Sequence, residues 1–240
     1  ALISLVAIVL TRTRAFPQFS IRFDVPKAEI QIRATEIANQ IAPELKESTR
    51  VTVFEADAFA ETYLDQELGA EATSKIASET GVWGWSTRFF KPGEEEEITV
   101  SHRVDGTLSG FNHHIEEDTP DKSLEKDEAL KIASNFLITH GWDINVSSSN
   151  NLTLVEDEVN ERPHRRDYQF VWEDQNNLFQ EARHRIRVGV QGDSIGEYES
   201  FIKIPEGWER AYDTRRSHND TAQLAADVLA FILSAASIVF

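Results

Sequence analysis

The chain has no cysteine and no methionine in 240 residues, and its 24 lysines and arginines are outnumbered by 41 aspartates and glutamates. Without thiols there is no disulfide and no zinc–thiolate centre, and the redox compartment stays open. A net charge of −17 excludes a nucleic-acid surface, which needs cations to displace phosphate counterions. The same charge disfavours adhesion to anionic lipid. The eleven glycines are dispersed at turns and form no phosphate-binding loop, and no H-E-x-x-H pair occurs. No cofactor is expected. A chain that begins at Ala1 and lacks methionine is expected to be a processed product or a fragment.

What is present is a repeated pattern. Trp83, Trp85, Thr87 and Phe89 alternate, the period of a strand with one buried face. Lys91-Pro92-Gly93 breaks that strand, since proline has no amide to donate and glycine accepts turn dihedrals. Ile98, Val100 and Val104 mark a second strand, and Asp105-Gly106 turns it into Leu108–Phe111. Downstream, Tyr168, Phe170 and Trp172 alternate, Asn176-Asn177 supplies the break, and Ile186, Val188 and Val190 follow. Gly192-Asp193 then leads to Ile195, Tyr198, Phe201 and Ile204. An apolar helical stripe precedes each meander, within Lys27–Lys46 and within Leu124–His140. The fold class expected is α+β, a tandem duplication of one helix-plus-antiparallel-sheet unit.

The units are expected at 15–119 and 120–220, joined by the linker Glu116–Pro120, with Ser123 capping the second helix. A short strand at Val51–Phe54, helices around Phe59–Leu68 and Ala70–Ser78, a loop at 146–151 and a strand at Leu152–Val155 complete the pattern. Both ends are apolar: 1–10 carries no charge, and 221–240 carries only Asp227. Twenty such residues suffice to span a bilayer. Segments 1–14 and 221–240 are therefore expected to be the cut ends of two transmembrane helices, and the lipid bilayer is a partner through both. Trp208, Tyr212, Arg215 and Arg216, on a helix beginning after Pro205, would then anchor at the interface.

No catalytic, cofactor or metal residue is assigned. His113-His114 with Glu116 and Glu117 reads as a solvated strand end, because neighbouring strand residues point to opposite faces. Glu94–Glu97 reads as a solvated hairpin loop. A serine triad could be assembled in principle, but no G-x-S-x-G elbow is read in support of it, and Ser109-Gly110 and Ser194-Ile195-Gly196 read as turn chemistry. Trp83, Trp85, Phe89, Tyr168, Phe170 and Trp172 are core residues, or else line a groove that takes a peptide at a free sheet edge.

The segments VWGWSTRFFKP, VDGTLSGFNHHIEE, DEALKIASNFL, RRDYQFVWE and FIKIPEGWERAY together resemble a region of known proteins. The helix-then-meander repeat resembles the bacterial PepSY-like extracytoplasmic modules. The combination resembles the region preceding the membrane core of some CPBP-family (CAAX protease and bacteriocin-processing) intramembrane endopeptidases, from about Phe19 to the apolar tail. The family's Glu-Glu-x-x-x-Arg motif is not carried here: Glu97 has Ser101 at the arginine position and Glu117 has Asp121. The resemblance implies an accessory domain that gates or positions a peptide or protein substrate for a catalytic core lying elsewhere. It also implies a bacterial inner-membrane protein with this region outside. The other expectation is a non-enzymatic, membrane-tethered binding, sensor or inhibitory module.

Overall fold

Alternation of apolar and polar side chains makes strands, and among the described residues it makes eight that join in one antiparallel sheet, ordered β1-β2-β3-β4-β8-β7-β6-β5. The structure, a computed structural model, describes residues 17–142, 144 and 152–239. The apolar run 1–10, with Arg12 and Arg14, and the loop at 146–151 lie outside the described residues. The strands are β1 (Thr49–Ala56), β2 (Trp83–Phe90), β3 (Glu97–Arg103), β4 (Leu108–His114), β5 (Leu152–Glu161), β6 (Arg166–Phe179), β7 (Ala182–Gln191) and β8 (Ser194–Lys203). Both meanders, β2–β4 and β6–β8, form as their alternation predicts.

The two meanders share a register. Thr87, Val100 and Phe111 lie opposite one another across β2, β3 and β4. Phe170, Val188 and Tyr198 do the same across β6, β7 and β8. The last strands of the two halves then pair, Phe111 against Tyr198. Strands β1–β4 and β5–β8 therefore supply the two halves of one sheet.

Four of the five described α-helices belong to the same compact unit, which runs to Lys203. Helix α1 (Lys27–Ile41) buries Ile30, Ala34 and Ala38, and α4 (Lys126–Thr139) buries Ala129, Ala133 and Leu137. Small residues on these stripes let the helices approach Phe89, Ile98, Val100 and Phe111 in one half, and Phe170, Trp172, Ile186 and Val188 in the other. Each fully buried side chain of this size contributes about 1.5–3 kcal/mol. Between β1 and β2, Asp57 caps α2 (Ala58–Leu68) through the amides of Phe59 and Ala60 at 3.0 and 2.9 Å. Helix α3 (Ala70–Thr80) follows Gly69, whose φ of 81° suits glycine.

Local chemistry corrects several boundaries. The first helix stops at Ile41 rather than Lys46, because Pro43 lacks an N–H and draws Ala42 out of helical angles into a short 3₁₀ turn. Glu125, not Ser123, caps α4, in a box closed by Glu128. Strand β5 extends to Glu161, well past Val155. Asn176-Asn177 does not end β6. Asp174 accepts from the Asn176 amide and Asn177 Nδ2 at 2.9 and 2.7 Å, and the strand absorbs the segment as a register shift before Leu178.

Residues from Ile204 onward form a second unit built on α5 (Glu206–Val239). Trp208 and Tyr212 stack within it, centroids 5.0 Å apart, so the expected anchor residues do share a helix with Arg215 and Arg216. The apolar tail is helical as far as Val239. Among the described residues, however, no helix is long and apolar enough to cross a membrane, so the structure does not support the transmembrane flank expected at 221–240. The flank expected at 1–14 lies outside the described residues.

Candidate functional site

The aromatic residues singled out in the sequence sit mainly beneath the helices. Trp83 and Phe170 are fully buried, and Phe89, Trp172 and Tyr168 nearly so, which makes them core. Trp83 donates from Nε1 to Glu61 at 2.8 Å, and the other Glu61 oxygen accepts from Gln18 Nε2 at 2.7 Å. Trp85 is half-buried and packs edge-on against Phe54 and beside Phe23. Of the six, Trp85 lines a depression shared with Glu55, Ser86 and Ser101.

The face opposite the helices is where this unit meets solvent. At its centre Gly110 and Gly189 flank β8, paired with Glu199 and Glu197. A Cβ at Gly110 would meet the Tyr198 carbonyl oxygen at 2.7 Å, and one at Gly189 the Glu197 Cβ at 2.8 Å. The strands can close at this register only with glycine there. The result is a shallow depression of about 400 Å³ edged by Thr99, Ser101, Asn112, Arg187, Glu197 and Glu199. Arg187 ion-pairs with Glu199 and places its guanidinium 4.8 Å from the Phe201 ring centroid. Burial raises the Glu199 carboxyl's pKa, and Arg187 opposes that rise. Toward β1 the face turns apolar, with Val51 and Val53 exposed beside Phe90.

Beneath the helices lies a second constellation. Ser200 Oγ is 2.8 Å from His184 Nε2, and His184 Nδ1 is 3.6 Å from Asp174 Oδ2. Asp174 is held down to about 2, first by His184 and then by the Asn176 amide and the Asn177 side chain, against the opposing effect of burial. The order resembles a serine triad. The spacing that announces such a nucleophile is present but lies elsewhere: Gly192-Asp193-Ser194-Ile195-Gly196 has the G-x-S-x-G pattern, which corrects the expectation that none occurs. It forms the tight β7–β8 hairpin turn, whereas a nucleophile elbow joins a strand to a helix. Ser200 projects from a paired strand, so its geometry is that of a buried polar network closing the β6–β7 hairpin.

The RRDY segment proves to be a clamp. Arg165 is 3% exposed, and its Nη1 donates to the carbonyls of Glu116, Glu117 and Thr119 at 2.8, 3.1 and 2.9 Å. Its Nε meets both Asp167 oxygens, at 3.0 and 3.1 Å. Tyr168 Oη donates to the Leu124 carbonyl at 3.1 Å. The linker between the two halves is thus pinned by the second half.

His113 and His114 point apart, as strand geometry requires. His114 is exposed, but His113 is not solvated: it turns inward to Glu96 and Glu44. Comparison with known protein families, curated proteins and solved structures gives no match, so the functional reading rests on the chain's own residues and geometry.

Proposed function

We propose that this chain is a duplicated PepSY-like domain that serves a membrane-embedded CPBP-like endopeptidase as its accessory domain. Its role would be to hold a polypeptide segment against the bare sheet face for a catalytic core on another part of the parent protein. The observation that carries the binding role is the sheet itself: helices cover one face, while the other offers hydroxyl, amide and ion-paired charged side chains at its centre and apolar side chains toward β1. Such a face suits an extended peptide, which needs both backbone partners and side-chain pockets. The matched registers of the two halves, each preceded by a helix, support the duplication. The RRDYQFVWE and VDGTLSGFNHH segments support the family. A bacterial inner-membrane location with this domain outside belongs to the same proposal and rests on the apolar composition of 1–10 and 221–240.

The test is peptidase activity in reconstituted membranes, with a membrane-tethered substrate and a photo-crosslinking residue at Thr99 or Asn112. A control crosslinker replaces the exposed Ile32 on α1. The proposal expects substrate crosslinks at Thr99 and Asn112 but not at residue 32, and altered turnover when Phe19–Asn219 is deleted. Crosslinks without any parent peptidase activity would favour a tethered binding, sensor or inhibitory module, consistent with the same bare face. Unchanged turnover together with no crosslinks would overturn both readings.

A further inference from the structure

On the helix-covered side, three elements distant in sequence bring one ligand atom each to a single point. Glu44 lies in the 3₁₀ turn Pro43–Leu45, Glu96 in the β2–β3 hairpin loop, and His113 on β4. Their ligand atoms lie within 4.8 Å of one another. His113 Nε2 is 3.0 Å from Glu96 Oε1 and 3.4 Å from Glu44 Oε1. A zinc ion bonded at about 2.0–2.2 Å holds neighbouring ligand atoms roughly 3.3 Å apart in a tetrahedron, so little movement is required. Among the described residues, the ion pairs of Glu44 and Glu96 run to His113 alone and neither carboxylate meets a lysine or arginine. Two carboxylates and one imidazole converging on one point supply three donors to a single divalent cation.

The geometry points to a divalent transition-metal site formed by Glu44, Glu96 and His113, with Zn²⁺ the ion best matched to one imidazole and two carboxylates. The Glu44 side chain is 42% exposed, so water reaches the remaining position. Gln191 Nε2 donates to the His113 carbonyl at 3.0 Å and helps hold the ligand's strand in place. Bound there, the ion ties the end of α1, the β2–β3 loop and β4 together.

The 240-residue chain, untagged and stripped with chelator, is titrated with ZnCl₂ by calorimetry and followed by thermal unfolding, with MgCl₂ as the control for attraction to the acidic surface. The expected result is one site per chain, a raised Tm with Zn²⁺ and none with Mg²⁺. Glu44→Gln, at an exposed position that leaves the fold intact by circular dichroism, is expected to weaken affinity at least tenfold, as is His113→Gln. Co²⁺ is expected to show visible absorption that His113→Gln removes. Absence of saturable Zn²⁺ binding, or affinity unchanged in both variants, would overturn the site.

Discussion

Phe111 and Tyr198 are Cα partners across the β4–β8 junction, their ring centroids 6.2 Å apart, and they occupy equivalent positions in the two halves. Tyr198 is further fixed by Trp142, whose Nε1 donates to its hydroxyl at 3.1 Å. The seam between the halves is therefore a packed aromatic contact inside one sheet.

One consequence concerns cooperativity. Phe111→Ala opens a cavity at the seam and is expected to cost about 3–5 kcal/mol in urea unfolding. A cycle with Phe111→Leu and Tyr198→Leu is expected to show a coupling of about 0.5–1.5 kcal/mol. Fluorescence and circular dichroism should report one coincident transition for the eight-stranded unit. Two separated transitions would show that the halves fold independently.

Arg165 offers a sharper test of the linker clamp. Replacing it with alanine leaves the buried Asp167 with only the longer Arg162 contact at 3.4 Å and frees three carbonyls, at an expected cost of about 3 kcal/mol. Arg165→Lys should recover little, because one ammonium cannot serve Asp167 and the three carbonyls at once, as Nε and Nη1 of the planar guanidinium do. Proteolysis between Glu116 and Pro120 should rise in both variants. A lysine variant as stable as the parent would refute the clamp.

Acid lability should arrive in two steps. His102 is 1% exposed and held down to about 4, mainly by burial and then by Arg33. Its folded pKa lies below the unfolded value, so the folded state resists protonation and its contribution is lost as pH falls from about 6.5 toward 4. Asp174, folded near 2, contributes stability that is present above about 4 and lost as pH falls toward 2, on the order of 1–2 kcal/mol. His102→Gln should flatten the first step and Asp174→Asn the second in a pH series of urea midpoints. A His102 titration near 6.5 by NMR would contradict the first.

The Ser200–His184–Asp174 order is expected to be structural. A fluorophosphonate probe should leave Ser200 unlabelled, and Ser200→Ala should change stability by no more than about 1–2 kcal/mol. Covalent labelling that vanishes in Ser200→Ala and His184→Gln would make this the catalytic site instead.

Some of this molecule is written locally. Alternation in Trp83–Phe89 and Tyr168–Trp172, the Asp105-Gly106 and Gly192-Asp193 turns, and the helical stripes from Ile30 and Ala129 report forces between near neighbours, so they could be read directly. Boundaries were less legible where a side chain competes with the backbone, as Asp174 does at Asn176-Asn177, or where Pro43 removes a donor. The meeting of Glu44, Glu96 and His113 was hidden because strand spacing in His113–Glu117 speaks only of adjacent residues. Ser200, His184 and Asp174 converge through cross-strand register, and Arg165 through a chain reversal 46 to 49 residues long. By itself, then, the sequence determined the elements and the repeat, because periodicity and turn chemistry act over a few residues. Only the tertiary structure decided that the halves share one sheet, which face stays bare, and which charges meet, because those depend on how strands far apart in the chain pair.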